Sequence, residues 1–368
     1  MIKLLHAADL HLDSPFEGLG ESKAAVRRTE QRQLLNRIAQ LAQTEQVQLV
    51  LLAGDLLDSD SAYAETAEEL VKALGSIEAP VFISPGNHDF YSPRSPYARL
   101  KLPDNVHIFK SPRIECVELP GLGVRLWGAA FTDKYSGGML RGFSAEKTAG
   151  VLDIMCIHGE VNAASAYNPV TEGEIAASGM DYIAFGHIHA GSGLKNAGGC
   201  HYSWPGCPEG RGFDETGEKY VSIVSLGDGK CSVEPVNIAR RRYEILTVRL
   251  TGRDPIEAVC EALPDGTEND IYRLILRGET EQAPDVSALR EAFEDRFFSL
   301  QIRDETSLRR DVWEKAGEDS LRGQFLSRLR KKYDEAKDET ERERAVQAAR
   351  WGLAALDRRE EVVRHADQ

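Results

Sequence analysis

Hydrophobic positions along this chain gather into short apolar runs, and a small group of polar residues closes almost every run. Residues 2–8 read as a strand that ends in Asp9-Leu10-His11. Residues 27–45 carry Leu34, Leu35, Ile38, Leu41 and Ala42 at helical spacing, the stripe of an amphipathic helix laid on a sheet. The run 47–53 is nearly all apolar, as a central strand covered on both faces requires, and it ends in Gly54-Asp55. A second helix over 62–75 leads to Val81-Phe82-Ile83-Ser84, short, β-branched and aromatic, and so a buried strand. Pro85-Gly86 stop that strand and place Asn87-His88-Asp89 on the turn beyond it.

The alternation then becomes hairpin-like over 106–109, 114–119 and 124–127. The Gly-rich, polar segment 135–148 is expected to be a surface loop or lid. A strand over 151–157 delivers His158-Gly159-Glu160. After a helical patch at 172–178, a strand over 181–185 delivers Gly186-His187-Ile188-His189. Strands at 201–204, 220–226 and 232–236 follow, the last two joined by the tight turn Gly227-Asp228-Gly229-Lys230. Residues 240–310 read strand (244–250), helix (255–263), strand (271–276), helix (286–293), strand (297–303), a small α+β module entered through Arg240-Arg241-Arg242. The tail is helix-forming, with Leu321, Phe325, Leu326 and Leu329 on one face and Val346, Ala349, Leu353 and Leu356 on another. Three domains are expected: 1–238, 239–312 and 313–368.

Composition adds limits. The 368 residues are 42% hydrophobic and 28% charged, which is ordinary for a globular protein. A formal charge of −14 disfavours nonspecific adhesion to nucleic acid or anionic membrane. Carboxylates that bind cations count in that sum, so it excludes little. Cations and carboxylates balance in the tail, which favours amphipathic helices seeking a protein partner over a DNA-binding arm. The six cysteines are scattered with no Cys-x-x-Cys pair, as in a reducing compartment and unlike a disulfide framework or zinc site. No signal-peptide pattern opens the chain, and no apolar run reaches the ~20 residues of a membrane span. A cytoplasmic protein with no membrane partner is the expectation.

The polar strand ends carry the chemistry. A lone histidine is more often a satisfied core or surface residue, but here Asp9/His11, Asp55, Asn87/His88/Asp89, His158 and His187/His189 form a series. In an extended chain alternate side chains point the same way, so Asp9 and His11 are expected to converge on one ion. Gly54 lets the backbone turn sharply beside Asp55. Imidazole mixed with carboxylate and amide oxygen suits Mn, Fe or Zn better than Ca or Mg. Leaving His88 and Asp89 aside, the set is too large for one four-coordinate ion, whereas two ions sharing a carboxylate account for it. Such pairs, ~3.5–4 Å apart, clamp a phosphoryl group and activate water.

The order Asp-x-His, Gly-Asp, Gly-Asn-His-Asp, His, Gly-His-x-His resembles the calcineurin-like metallophosphoesterase superfamily over about the first 240 residues. That resemblance implies an α/β fold, a β-sandwich flanked by helices. It implies that Asp9, His11 and His189 hold one divalent ion, that Asn87, His158 and His187 hold the other, and that Asp55 bridges them. It further implies that His88 protonates the leaving oxygen or stabilises the phosphorus, with Asp89 orienting it. Within the superfamily, Ala7-Ala8-Asp9-Leu10-His11-Leu12-Asp13, the segment 206–219 and the appended module resemble the SbcD-type DNA-repair exonucleases, their YhaO-like bacterial branch above all.

The expected function is therefore a Mn-dependent phosphodiesterase acting on DNA (Fe or Zn being the other metals), as the nuclease subunit beside an SMC-like coiled-coil ATPase gripped by the tail. The small module would cap the site and help dock DNA; a structural appendage, or one that pairs two copies into a homodimer, is its other reading. Arg240-Arg241-Arg242 is either a phosphate contact or, more commonly for such a run, a solvated linker. Two alternatives stand beside the nuclease: a small-molecule phosphodiesterase or phosphomonoesterase on the same metal pair, and a DNA-end-binding scaffold with a vestigial site.

Overall fold

The structure, a computed structural model, describes residues 1–308 and 312–356. The chain forms two compact units, Met1–Thr247 with Ala262–Ile275 and Ser287–Arg303, and Val248–Glu261 with Leu276–Val286 and Asp304–Gln368.

In the first unit, β1 (Ile2–Ala7), α1 (Glu21–Thr44), β2 (Leu49–Leu52), α2 (Ala64–Gly75), β3 (Val81–Ile83), α3 (Pro96–Arg99) and β4 (Val106–Ile108) follow in order. The four strands pair in parallel, β1-β2-β3-β4. A second series comprises β5 (Glu115–Leu119), β6 (Val124–Gly128), β7 (Leu152–His158), α4 (Glu172–Ala177), β8 (Tyr182–Gly186), β9 (Lys195–Ala197) and β10 (Cys200–Ser203). It makes a six-stranded sheet in the order β5-β6-β7-β8-β10-β9, with antiparallel pairs at its edges. The chain then returns: β11 (Val221–Gly227) and β12 (Lys230–Val236) complete the first sheet as β12-β11-β1-β2-β3-β4.

Strand alternation assigns the layers. Leu4, Leu49, Leu51 and Phe82 meet Leu126, Ile154, Cys156, Tyr182 and Ala184 between the sheets. Their neighbours Leu5, Val50, Leu52 and Ile83 face Leu35, Ile38 and Ala42 of α1 and Leu70 and Leu74 of α2. On the outside of the second sheet, Met155, Ile157, Ile183 and Phe185 pack on Ile175 of α4. The expected helix-flanked β-sandwich is the fold. Residues 135–148 form a loop as anticipated, but Leu140 and Ala145 pin it into that outer core. His6 ties the sheets together: Tyr182 Oη donates to Nδ1 (2.9 Å) and Nε2–H donates to the Phe185 carbonyl (3.0 Å). Burial holds its pKa down at about 3.

Past residue 240 the strands β13 (Tyr243–Arg249), β14 (Ile271–Thr280) and β15 (Ser299–Leu308) form a three-stranded sheet in that order, with α5 (Pro255–Ala262) and α6 (Val286–Phe293) between them in sequence. Two of the three arginines in the run are held by carboxylates of the chain itself, while Arg240 is exposed. Arg241 is buried, forks onto Glu30 (2.8 and 2.6 Å) and stacks 3.6 Å from the Phe298 ring centre, while Arg242 forks onto Asp270. In the second unit α7 (Leu321–Asp334) packs on α8 (Glu339–Leu356), where Gly352 lies so close to the Phe325 ring that a Cβ would collide with it. Trp351 beside it is 48% exposed. Among the described residues no helix is long and apolar enough to cross a membrane.

Candidate metal centre

The ligand candidates sit at or just beyond the C-terminal ends of β1, β2, β3, β7 and β8, His158 being the last residue of β7, where open α/β sheets place their ligands. The structure brings all seven together, though not for the reason the sequence suggested. β1 ends at Ala7, and Asp9 and His11 lie beyond it in left-handed backbone, with φ of 55° and 44°. Asp55 (50°) and His187 (98°) share that conformation. Convergence thus comes from turned, strained loops and not from strand alternation. Two glycines make room: at Gly54, with φ 90°, an added Cβ would strike the His158 imidazole, and at Gly86 it would strike the Asp55 carboxylate.

Two clusters of donors result. Ligand atoms of Asp9, His11 and His189 lie within 4.8 Å of one another, as do those of Asp55, His158 and His187. A third such grouping, His11, Asp58 and His88, overlaps the first. Asn87 joins the second cluster, its Oδ1 lying 3.0 Å from His158 Nε2 and 3.2 Å from His187 Nδ1. Asp55 Oδ2 stands between the clusters, 3.4 Å from His158 Nε2 and 3.8 Å from His11 Nε2.

Hydrogen bonding tests whether these residues fit a cation. His11 Nδ1–H donates to Asp58 (3.0 Å) and His189 Nδ1–H donates to Glu215 (2.6 Å), so each ring keeps its Nε2 lone pair. Those two Nε2 atoms face each other at 3.2 Å. His158 Nδ1–H likewise donates to the Ala53 carbonyl (2.9 Å), which aims Nε2 at Asn87 Oδ1 (3.0 Å). Facing acceptors repel unless a positive charge lies between them. The donor set fits divalent ions with imidazole, carboxylate and amide ligands.

Electrostatics agree. Asp9 and Asp55 are both fully buried a short way apart. Burial pushes the Asp9 carboxyl up to about 6, with Asp55 adding to the rise and His158 and His189 opposing it. The reverse balance holds for Asp55: burial raises it, but His158 and then His11 outweigh this and hold it well below the carboxylate range. Burial disfavours charge on His158 too, yet the Asp55 carboxylate lifts it to about 9.

His88 and Asp89 divide differently from expectation. The exposed His88 ring is oriented through Nδ1–H, which donates to the Asp58 carbonyl at 3.0 Å, and the His88 backbone N–H donates to Asp55 Oδ1 at 2.9 Å. Asp89 does not orient it. Its buried carboxylate accepts from the backbone N–H groups of Leu56 (2.7 Å), Leu57 (3.2 Å) and Gly86 (2.8 Å) and from Tyr97 Oη (2.5 Å). Burial and the nearby Asp55 push its pKa up. Asp89 is a staple joining the loop after Asp55 to the loop before Asn87.

The residues behind the ligands were not read from the sequence. Asp58 and Glu215 hold His11 and His189, Arg211 bridges those two carboxylates, and Glu160 stands 3.7 Å from His187 Nε2. The Tyr167 ring lies 5.0 Å from that of His187. The signal in hand was weak: Glu215 and Arg211 fall in the segment 206–219, noticed only for its likeness to relatives.

A two-sheet α/β sandwich with paired donor clusters at its strand ends defines a phosphoester hydrolase of the metal-dependent class. The calcineurin-like phosphoesterase family model matches residues 2–191, and the chain belongs to that family. It is 29% identical over 246 residues to the uncharacterized metallophosphoesterase YhaO of Bacillus subtilis, covering 63% of this chain and 59% of that protein. It is 26% identical over 265 residues to the DNA double-strand break repair protein Mre11 of Aeropyrum pernix, covering 67% and 63%. To the SbcD nuclease subunit of Escherichia coli it is 28% identical over 292 residues, covering 64% and 68%. The chain thus spans about three fifths of the length of the first two relatives.

Proposed function

We propose that this protein is a two-metal phosphodiesterase that cleaves DNA. The observation that carries the reading is the pair of donor clusters flanking one carboxylate, in one of which the Nε2 atoms of His11 and His189, each with its Nδ1–H given to a carboxylate, face each other at 3.2 Å. Asp9, His11 and His189 would hold one ion, Asn87, His158 and His187 the other, with Asp55 between them. Two bound divalent ions, Mn in this reading, supply Lewis acidity toward the phosphoryl oxygens and lower the pKa of water.

The chain's own residues do the rest. Asp55 is kept ionised by the surrounding imidazoles and takes the His88 N–H on its other oxygen, so the catalytic turn and the bridging ligand move as one piece. With Nδ1–H committed to the Asp58 carbonyl, His88 presents Nε2 at the exposed side of the centre. There, as the imidazolium, it can give its Nε2 proton to the departing sugar oxygen and be left neutral, a role typically worth 10²–10⁴-fold. DNA as the substrate draws its support from the nuclease and break-repair relatives. A subunit role for the tail helices beside an ATPase rests on the same kinship, since one relative is named as a subunit.

Purified protein with Mn is to be tested on end-labelled duplex and single-stranded DNA, a generic phosphodiester and a phosphomonoester. Cleavage of DNA with loss of activity under a chelator is the expected result. Activity confined to the small esters would defeat the nuclease reading.

A further inference from the structure

Both histidines of one donor cluster are held through a single guanidinium. Arg211 Nη1 donates to Asp58 Oδ1 (3.0 Å), which also accepts His11 Nδ1–H (3.0 Å). Arg211 Nη2 donates to Glu215 Oε1 (2.7 Å), which also accepts His189 Nδ1–H (2.6 Å). The second oxygen, Glu215 Oε2, folds back onto the Arg211 backbone N–H (2.8 Å) and Nε (3.3 Å). The chain of contacts His11–Asp58–Arg211–Glu215–His189 therefore closes where the two Nε2 atoms meet, 3.2 Å apart.

We propose that Arg211 is a positioning residue that sets metal occupancy at the Asp9–His11–His189 position selectively, leaving the Asp55–Asn87–His158–His187 position largely independent of it. The proposal rests on the dinuclear reading above. Its physical basis is the rigid guanidinium fork, which fixes two carboxylates at once in a geometry that a lysine point charge does not reproduce. One cation between two carboxylates also keeps their negative charge fixed behind the imidazoles, where it strengthens both as ligands. The other position is built from different parts. There His158 leans on the Ala53 carbonyl, Asn168 Nδ2 donates to the His158 carbonyl (2.8 Å), and His187 has Glu160 at 3.7 Å.

The Arg211 backbone is placed by separate charges. Two residues before it, Glu209 accepts from Arg27 Nη1 of α1 (2.9 Å) and from the backbone N–H groups of Arg240 (3.0 Å) and Arg241 (3.1 Å), and Arg27 Nη2 donates to the Gly210 carbonyl (3.3 Å). Altering the Arg211 side chain thus leaves the loop's anchor in place.

The test is Mn binding by the metal-free full chain, wild type against Arg211→Lys and Arg211→Gln, by calorimetry together with low-temperature paramagnetic resonance. Wild type should take two equivalents and show an exchange-coupled pair. Both variants should keep one site near wild-type affinity and lose roughly 10–100-fold at the other, so that at stoichiometric Mn an isolated-ion spectrum replaces the coupled one. Unfolding of the metal-free variants checks the fold; should the Gln variant not fold, the Lys variant decides. Unchanged binding in either folded variant, or equal weakening at both sites, overturns the proposal. A wild-type protein that binds fewer than two ions would instead defeat the dinuclear reading itself.

Discussion

Asp89 offers the sharpest separation between what the motif implies and what the structure shows. If it oriented His88, removing its charge would cost turnover and little stability. As the acceptor of three backbone N–H groups and the Tyr97 hydroxyl, it should instead be a stability residue. Tyr97→Phe removes one donor from a carboxylate that keeps three, a loss of about 1.5 kcal/mol. Asp89→Asn keeps one oxygen but turns an NH₂ toward a backbone N–H, losing one bond and adding a donor–donor contact, about 2.5 kcal/mol. Asp89→Ala strands all three buried N–H groups. At ~1–3 kcal/mol each, and with water entering the vacated space, about 4 kcal/mol is expected.

For a domain of this size a loss of 1 kcal/mol lowers Tm by roughly 2 °C, so the series should read about 3, 5 and 8 °C. The measurement is thermal unfolding followed by circular dichroism in excess chelator, because bound metal would add its own stabilisation by mass action. An Asp89→Ala variant within 2 °C of wild type, or an Asn variant worse than Ala, would refute the staple.

Three further outcomes are expected. His88→Ala should lose 10²–10⁴-fold in turnover while metal analysis still finds two equivalents; near-wild-type turnover removes its assigned role. Asp55→Ala should lose both ions, and two equivalents bound with unchanged affinity would rule out the bridge. His6 stays neutral in the fold down to about pH 3 but protonates near 6.5 when unfolded. The unfolded state therefore binds the extra proton, and the His6 contribution, fully present above pH 6.5, falls by roughly 2–3 kcal/mol on going to pH 4.5. A His6→Gln variant, compared with wild type by urea unfolding at both pH values, should lack that component; parallel pH profiles would exclude it.

The ligands themselves were legible in the sequence because each group follows within a few residues of an apolar run. Val81-Phe82-Ile83 has to be buried, and Asn87, four residues later and past Pro85-Gly86, has to lie at the sheet's edge. Asp58, Arg211 and Glu215 escaped because their meaning depends on contact across the fold, Arg211 and Asp58 being 153 residues apart. A charged residue in a loop looks solvated until its partner is placed. The same blindness affected Arg241, whose neighbours in sequence are cationic and whose neighbours in space are Glu30 and Phe298.

The reason Asp9 and His11 converge was misread for a related cause. An Asp-x-His spacing is satisfied by a strand at no cost, so period-two alternation is the natural inference. The fold uses a costlier geometry: left-handed backbone at Asp9, His11 and Asp55, about 1–2 kcal/mol each for residues with a Cβ. Glycine would remove that cost but cannot ligate. The compensation is visible in the backbone, where the β1–β2 pairing continues past both strand ends. Asp9 N–H donates to the Gly54 carbonyl (3.0 Å), His11 N–H to that of Asp55 (2.9 Å), Leu12 N–H to that of Leu56 (2.8 Å), and Asp58 N–H to that of Leu12 (2.9 Å). Asp89 then binds the free N–H groups of Leu56 and Leu57 from the other side. The left-handed backbone at Asp9, His11 and Asp55 is thus offset by main-chain hydrogen bonds between the two loops and by the Asp89 carboxylate that ties one of them down.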